Sequence, residues 1–237
     1  MSDPRGMIEH QTITPGGRTM TVKGIDVASY QPTTYPTTGV QFVVIKATEG
    51  TTYVNPHMAG QLATARKIGA VVGFYHFLRP GNIDKQARFF LDTAPEGAAD
   101  FLAIDWETES GTAPSCAEKD SAIKAVKKLV PHHRVLLYCN RDFWLNRDTT
   151  SYCGDGLWIA DPGAPAGKPR VQHAWTIHQH ATAGGIDQNV GAFADRDAML
   201  RWAKGLAAAP TTPVLTTEQR LSKLEKRVTA LEKKEGV

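Results

Sequence analysis

Phe101-Leu102-Ala103-Ile104-Asp105-Trp106-Glu107 is an apolar run that ends on two acids spaced i and i+2. It reads as a strand. Period-two alternation puts Leu102, Ile104 and Trp106 on one face and Ala103, Asp105 and Glu107 on the other. Helical patterns flank it, Ile83 to Leu91 before and Ala117 to Val130 after, and beyond them lie apolar runs at Val71 to Leu78 and Arg134 to Cys139. Strand, helix, strand, helix, strand in that order is the signature of parallel strands with their crossover helices outside. Helices then cover the Leu102 face, and the two acids point inward.

The same alternation extends from Val22 to about Ala209. Further strands are predicted at Val22 to Ser29, Phe42 to Thr48, Leu157 to Ala160, Ala174 to His180 and Ile186 to Val190, eight in all. Further helical patterns fall at Pro56 to Ile68, Arg141 to Leu145 and Arg196 to Leu206. The last three strands follow one another with no room for helices. The expectation is an α/β fold of roughly five βα units and then three successive strands, an irregular TIM-like barrel.

Outside the barrel, residues 1–21 read as an N-terminal extension and 210–215 as a linker after the catalytic domain 22–209. Thr216 with Gln219 forms a capping-box pattern that opens a helix over 216–236. Leu221, Leu224, Val228 and Leu231 occupy heptad positions a, d, a, d, with Arg220 and Arg227 at g and Glu225 and Glu232 at e. In a parallel coiled coil Arg220 meets Glu225 of a second copy and Arg227 meets Glu232. This predicts a homo-oligomer, dimer or trimer, against the alternative that so short a helix folds back on the barrel or frays.

Composition bounds the function. The chain has 237 residues, 41% hydrophobic and 22% charged, with a formal net charge of +3. That is a globular composition with no nucleic-acid-binding footprint. Cys116, Cys139 and Cys153 are odd in number and match neither CxxC nor a zinc-ligand spacing, so they read as free thiols. Pro4, Gly6, Glu9, His10 and Pro15 interrupt the place of a signal peptide, and the apolar run from Ala70 to Tyr75 is too short for a membrane span. The expectation is a protein made in a cytoplasm with no membrane anchor.

Two carboxylates at the C-terminal end of an apolar barrel strand cost too much desolvation to be incidental, and barrel enzymes place their chemistry at that end. Other strands end alike: Asp26 closes Val22 to Asp26, Glu49 follows Phe42 to Thr48, Tyr75 lies in Val71 to Phe77, Tyr138 and Asn140 close Val135 to Asn140, and Asp187 opens the last strand. They converge on one acidic and aromatic mouth suited to a sugar chain. Glu49 taken singly reads as well as an exposed loop acid or a buried ion-pair partner as it does as a part of the catalytic apparatus. With no phosphate loop and no dinucleotide fingerprint, the chemistry indicated is glycoside hydrolysis. Glu107 is the candidate acid, its proton held by the like charge of an ionised Asp105. Asp105 is also placed to hold the acetamido group of a substrate whose own N-acetyl oxygen attacks. His178 and His180 on one strand, and His132 and His133 on a loop, lack the third and fourth ligands of a metal site, so neither metal nor cofactor is expected.

The strings Gly24-Ile-Asp-Val-Ala-Ser-Tyr-Gln31, Phe42-Val-Val-Ile-Lys-Ala-Thr-Glu-Gly50, Tyr53-Val-Asn-Pro56, Gly73-Phe-Tyr-His-Phe77 with Arg79-Pro80, and Ile104-Asp-Trp-Glu107 together resemble glycoside hydrolase family 25. These are lysozymes that act as N-acetylmuramidases. The resemblance runs from about residue 22 to 206. It implies a (β/α)5(β)3 barrel that cleaves the β-1,4 bond between N-acetylmuramic acid and N-acetylglucosamine in peptidoglycan, with Glu107, Asp105, Asp26 and Asp187 as the active-site acids. Glu49, Tyr75, Tyr138, Asn140, Trp158, Gln179 and Asn189 are the expected substrate contacts. The chain departs from the family late in the barrel, where Ile177-His-Gln-His180 stands for Trp-Gln-Tyr and only a short loop precedes Gly185-Ile-Asp-Gln-Asn189. The rival readings are a chitinase-like barrel hydrolase and a non-catalytic wall-binding module. A muramidase of this kind without a signal peptide reads as a bacteriophage endolysin held in the host cytoplasm until lysis, the alternative being a bacterial enzyme exported by another route.

Overall fold

The computed structural model describes residues 21–94 and 97–206, with Leu221 alone beyond them. The N-terminal extension up to residue 20, the linker and all of the heptad helix except Leu221 lie outside the described residues. The described barrel belongs to the first of two units, Met1–Ala207.

Among the described residues nine strands form, in chain order, at Val22–Val27 (β1), Phe42–Glu49 (β2), Tyr53–Val54 (β3), Val71–Phe77 (β4), Phe101–Asp105 (β5), Val135–Asn140 (β6), Leu157–Ala160 (β7), Ile177–Ala183 (β8) and Ile186–Gly191 (β9). The sheet runs β1-β9-β8-β7-β6-β5-β4-β2, and β1 pairs with β2 to close it into an eight-stranded barrel. Every barrel pairing is parallel except the two made by β9, which runs against β8 and β1. All eight predicted strands are present. The two-residue β3, antiparallel to the end of β2, was too short to carry a period.

Helices occur at Met58–Lys67 (α1), Ile83–Thr93 (α2), Cys116–Leu129 (α3) and Arg196–Ala203 (α4), with a π-helical turn at Phe143–Arg147. The expected five βα units are reduced. Crossover α-helices follow only β2, β4 and β5; the link from β6 to β7 carries the π-turn, and the link from β1 to β2 carries no helix. Pro32 and Pro36 lack the amide a helix needs, and Gly39 sits at φ 75°. α3 starts where its capping box dictates: Ser115 Oγ accepts from Glu118 N at 3.2 Å, and Ser115 N donates to Glu118 Oε2 at 2.7 Å.

Leu102, Ile104 and Trp106 are buried in the layer between strands and helices, with Phe74, Phe90 and Ile123. The barrel interior is a second core. Val22, Phe42, Val71 and Phe101 fill its lower end, where α4 seats Met199 and Ala203 as a plug. Two glycines make this packing fit: a Cβ on Gly24 would lie 2.4 Å from the Phe42 ring, and one on Gly73 would lie 2.4 Å from the ring of Phe101. With its lower half filled by rings, the barrel leaves open only the end where the strand-terminal acids sit.

Gly73→Ala therefore overpacks a buried ring that has nowhere to retreat. The expected loss is about 1–3 kcal/mol, read as a lower urea midpoint, and Phe101→Leu in the same chain should recover part of it.

Candidate active site

Asp105 is the last residue of β5 and Glu107 lies two positions further on, so the strand's pleat turns both toward the barrel axis. Asp105 is 4% exposed, and its Oδ1 has no hydrogen-bond partner. Its carboxyl is hydrogen-bonded to that of Glu107, which is half-buried at the opening. Two carboxyls in that contact hold one proton between them. Burial and then the charge of Glu107 push Asp105 well above the ordinary carboxylate range. Burial also raises Glu107, but the hydrogen bond from Asp105 and the ammonium of Lys46 pull it back.

Across the mouth, Asp26 at the end of β1 stands opposite Asp187 of β9 in the strand register. Asp26 Oδ2 accepts from Gln179 Nε2 at 2.9 Å and from Asn189 Nδ2 at 2.7 Å. Each amide is oriented in turn by an aromatic neighbour. Tyr138 OH donates to Gln179 Oε1 at 3.1 Å, and Trp158 Nε1 donates to Asn189 Oδ1 at 2.8 Å. Burial, followed by the charge of Asp187, raises Asp26 to about 7 against the two amide hydrogen bonds. Asp187 Oδ1 accepts from Thr182 Oγ1 at 2.5 Å.

The acids open into a cleft of about 260 Å³. Tyr75 and Tyr138 stand edge-on to Trp158, with ring centroids 6.1 and 4.6 Å away. Burial and the surrounding acids hold both phenols well above their ordinary range, so they remain donors. A polar, aromatic trough with several acids at its floor accommodates a glycan and brings a proton donor and anionic groups to one bond.

Residues 25–189 match the family model described as Glycosyl hydrolases family 25. The chain belongs to that family. An N,O-diacetylmuramidase of Chalaropsis is 34% identical over 147 residues, covering 52% of this chain and 68% of that protein. A lysozyme of Streptococcus phage Cp-1 is 28% identical over 147 residues, covering 57% of this chain and 41% of the phage protein. Thus the chain spans about two thirds of one relative and under half of the other. The solved structure of a muramidase from Trichobolus zukalii superposes with a TM-score of 0.66 at 26% identity, covering 78% of this chain and 99% of that one.

As a family 25 glycoside hydrolase, the chain brings most of the residues singled out from sequence to one place. Asp26, Glu49, Tyr75, Asp105, Glu107, Tyr138, Trp158, Gln179 and Asp187 line the cleft, and Asn189 supports it from below. Asn140 does not line it; its Oδ1 accepts from Phe143 N at 2.9 Å and caps the π-turn. Glu49 takes the ion-pair alternative, held by Lys46 and by two guanidinium nitrogens of Arg79, which keep it below its ordinary range despite burial.

Like charge is not the only influence on the acid pair. Desolvation is the first cause for both carboxyls and raises both, the fully buried Asp105 well above its ordinary range, so the shared proton belongs to the pair. Lys46, Tyr30, Gln31, Phe77, Thr108 and Glu109 also line the cleft and were not anticipated as site residues. A signal existed for Lys46, which stands on the inward face of an otherwise apolar strand.

His178 turns to the outer face of β8. Its Nδ1 accepts from Gly167 N at 3.2 Å and its Nε2 faces the carbonyl of Asp161 at 3.3 Å, as befits a satisfied core histidine. His180 falls at the β8 irregularity and does not line the cleft. Among the described residues, the one cluster with metal-ligand spacing, Cys116, Asp120 and Asp148, surrounds the buried ammonium of Lys119, which lies 2.6 Å from Asp120 and 2.7 Å from Asp148.

Asp26 provides a stability test. Its folded pKa, about 7, lies above the ordinary 3.8, so folding favours its protonated form. That contribution is complete below about pH 4 and lost as pH rises through 7. Asp26→Asn keeps a carbonyl oxygen for Gln179 and Asn189 and never ionises. Its melting temperature should exceed that of the wild type by roughly 5–10 °C at pH 8, with no gain at pH 4, while hydrolysis is lost.

Proposed function

We propose that this family 25 hydrolase is an endo-N-acetylmuramidase, a lysozyme that cleaves the β-1,4 bond between N-acetylmuramic acid and N-acetylglucosamine in peptidoglycan. The observation that carries the reading is the hydrogen-bonded Asp105–Glu107 pair at the open end of the barrel. The name of the Chalaropsis relative supports the substrate class.

One proton held between two carboxyls suits a substrate-assisted route. When the glycan enters, the proton passes from Asp105 to Glu107, which faces the opening. Glu107 then protonates the glycosidic oxygen as the C1–O bond breaks. Asp105, now ionised, accepts the N–H of the N-acetyl group, whose carbonyl oxygen attacks C1. Water activated by the Glu107 carboxylate reopens the ring. Asp26 and Asp187 face the developing positive charge from the other wall, and Tyr75, Tyr138, Trp158 and Gln179 position the sugars.

Purified sacculi incubated with wild type and with Glu107→Gln test this directly. Wild type should release reducing N-acetylmuramic acid ends, identified by mass spectrometry, and the variant should lose at least 100-fold in rate. New N-acetylglucosamine reducing ends would move the cut to the other linkage. No release by folded wild type would leave only a wall-binding role.

The reading extends to setting and assembly. The phage lysozyme among the relatives supports a bacteriophage endolysin, accumulated in the host cytoplasm and acting on the wall at lysis. The barrel corresponds to a (β/α)5(β)3 plan with two of its helices reduced, and the Leu221–Leu231 heptads join two or three copies through a parallel coiled coil. Multivalency would then prolong residence on the polymeric wall. Truncation after Ala209 should lower the sedimentation mass to that of a monomer and weaken sacculus retention, with hydrolysis of short soluble glycans unchanged. An unchanged mass would refute the coiled coil.

A further inference from the structure

The Lys46–Glu49–Arg79 cluster on the cleft wall is a charged group that the mechanism above leaves unused. Lys46 is the only basic residue lining the cleft among the described residues. Its side chain is 12% exposed and its Nζ lies 2.6 Å from Glu49 Oε2. The ammonium also lies 4.7 Å from the centroid of the Phe77 ring and 5.4 Å from that of Tyr53. Glu49 is held from its other side by Arg79, whose guanidinium packs 5.2 Å from the same Phe77 ring.

The clamp is anchored through the barrel wall. His76, buried on the outer face of β4, contacts Thr48 Oγ1 at 2.7 Å through Nδ1 and Gln86 Oε1 at 3.1 Å through Nε2. Burial lowers its pKa to about 4, so it is neutral. Nε2–H therefore donates to Gln86 and Nδ1 accepts from Thr48. Gln86 brackets the Arg79 backbone, accepting from its N at 2.9 Å and donating to its O at 2.7 Å. Arg79 is thereby fixed, and Glu49 and Lys46 with it.

The charge count explains why a fixed ammonium matters. The pair Asp105–Glu107 is faced by Asp26 from β1, Asp187 from β9 and Glu109 from the loop after β5, with the phenols of Tyr75 on β4 and Tyr138 on β6 completing the wall. Every one of those charged groups is an acid. The cluster, Lys46 and Glu49 on β2 with Arg79 after β4, carries two cations and one anion, a net positive charge beside them. Its field opposes uptake of a second proton by the pair.

We propose that Lys46 is a positioning residue for catalysis: clamped by Glu49 and Arg79, its ammonium holds the Asp105–Glu107 pair at a single shared proton. This rests on the reading of Glu107 as the acid. Lys46 need not touch the reacting bond, because its effect passes through the charge state of the pair.

The test is the pH profile of kcat/KM for muramic-acid end release by the full chain, compared between wild type, Lys46→Met, Lys46→Arg and Glu49→Gln. Removing the cation should move both limbs upward by about 1 pH unit or more. Lys46→Arg should restore the wild-type profile. Glu49→Gln removes an anion and should move the limbs the other way. Opposite shifts from two substitutions in one ion pair are not produced by loss of structure, which lowers activity without moving the limbs. A Lys46→Met profile in its original place, or shifts of the same sign in both variants, would overturn the proposal while Glu107→Gln remained inactive. If Glu107→Gln retained activity, the acid assignment itself would fail instead. Carboxyl 13C NMR titration of unliganded wild type and Glu49→Gln supplies a readout that needs no turnover: the pair's titration should fall in the variant, and an unmoved titration refutes the proposal.

Discussion

A carboxyl oxygen with no partner, Asp105 Oδ1, sits at the centre of this barrel's open end. Ionised, it would carry a desolvation penalty that no hydrogen bond to that oxygen relieves; protonated and hydrogen-bonded to Glu107, the side chain is tolerable. That constraint organises the surroundings. The proton belongs to the pair, the more exposed member faces the cleft, and the phenols nearby stay protonated. Asp26, with two amide donors on one oxygen, occupies the intermediate case and titrates near neutrality.

Such a site is held in place from outside itself. Asp26 depends on amides whose orientation is set by Tyr138 and Trp158, and these rings pack edge to face in the middle of the barrel. Beneath them the Phe42 and Phe101 rings fill the space that Gly24 and Gly73 vacate, with α4 closing the base. The lower half is apolar and fully packed, so the strand ends cannot relax inward to shield the acids. Apolar burial below offsets the electrostatic cost above.

The elements readable from sequence were those carried by short-range period. Alternation in Phe101 to Glu107 separated the helix-facing Leu102, Ile104 and Trp106 from the inward acids, and the Ser115–Glu118 spacing marked the start of α3. Less legible were features made by residues remote in the chain. The Arg79 grip on Glu49 spans thirty positions, and no local pattern distinguishes it from an acid left free for substrate. Asn140 was misplaced for the opposite reason. It ends a strand at the cleft level, yet a local contact to Phe143 N consumes its side-chain oxygen, and an asparagine three residues ahead of a helical turn could have shown it.

Desolvation within the acid pair depends on depth, which sequence spacing does not encode. Residues i and i+2 on a strand share a face, but the strand's end leaves one of them inside the barrel and the next at its rim. Asp105 is still paired with Phe77 of β4 and Tyr138 of β6, whereas Glu107 lies past the last ladder contact. A two-residue step along one strand therefore crosses from protein interior to solvent boundary. Identical chemistry on either side of that step meets different degrees of desolvation, and the two neighbouring acids share one proton across it.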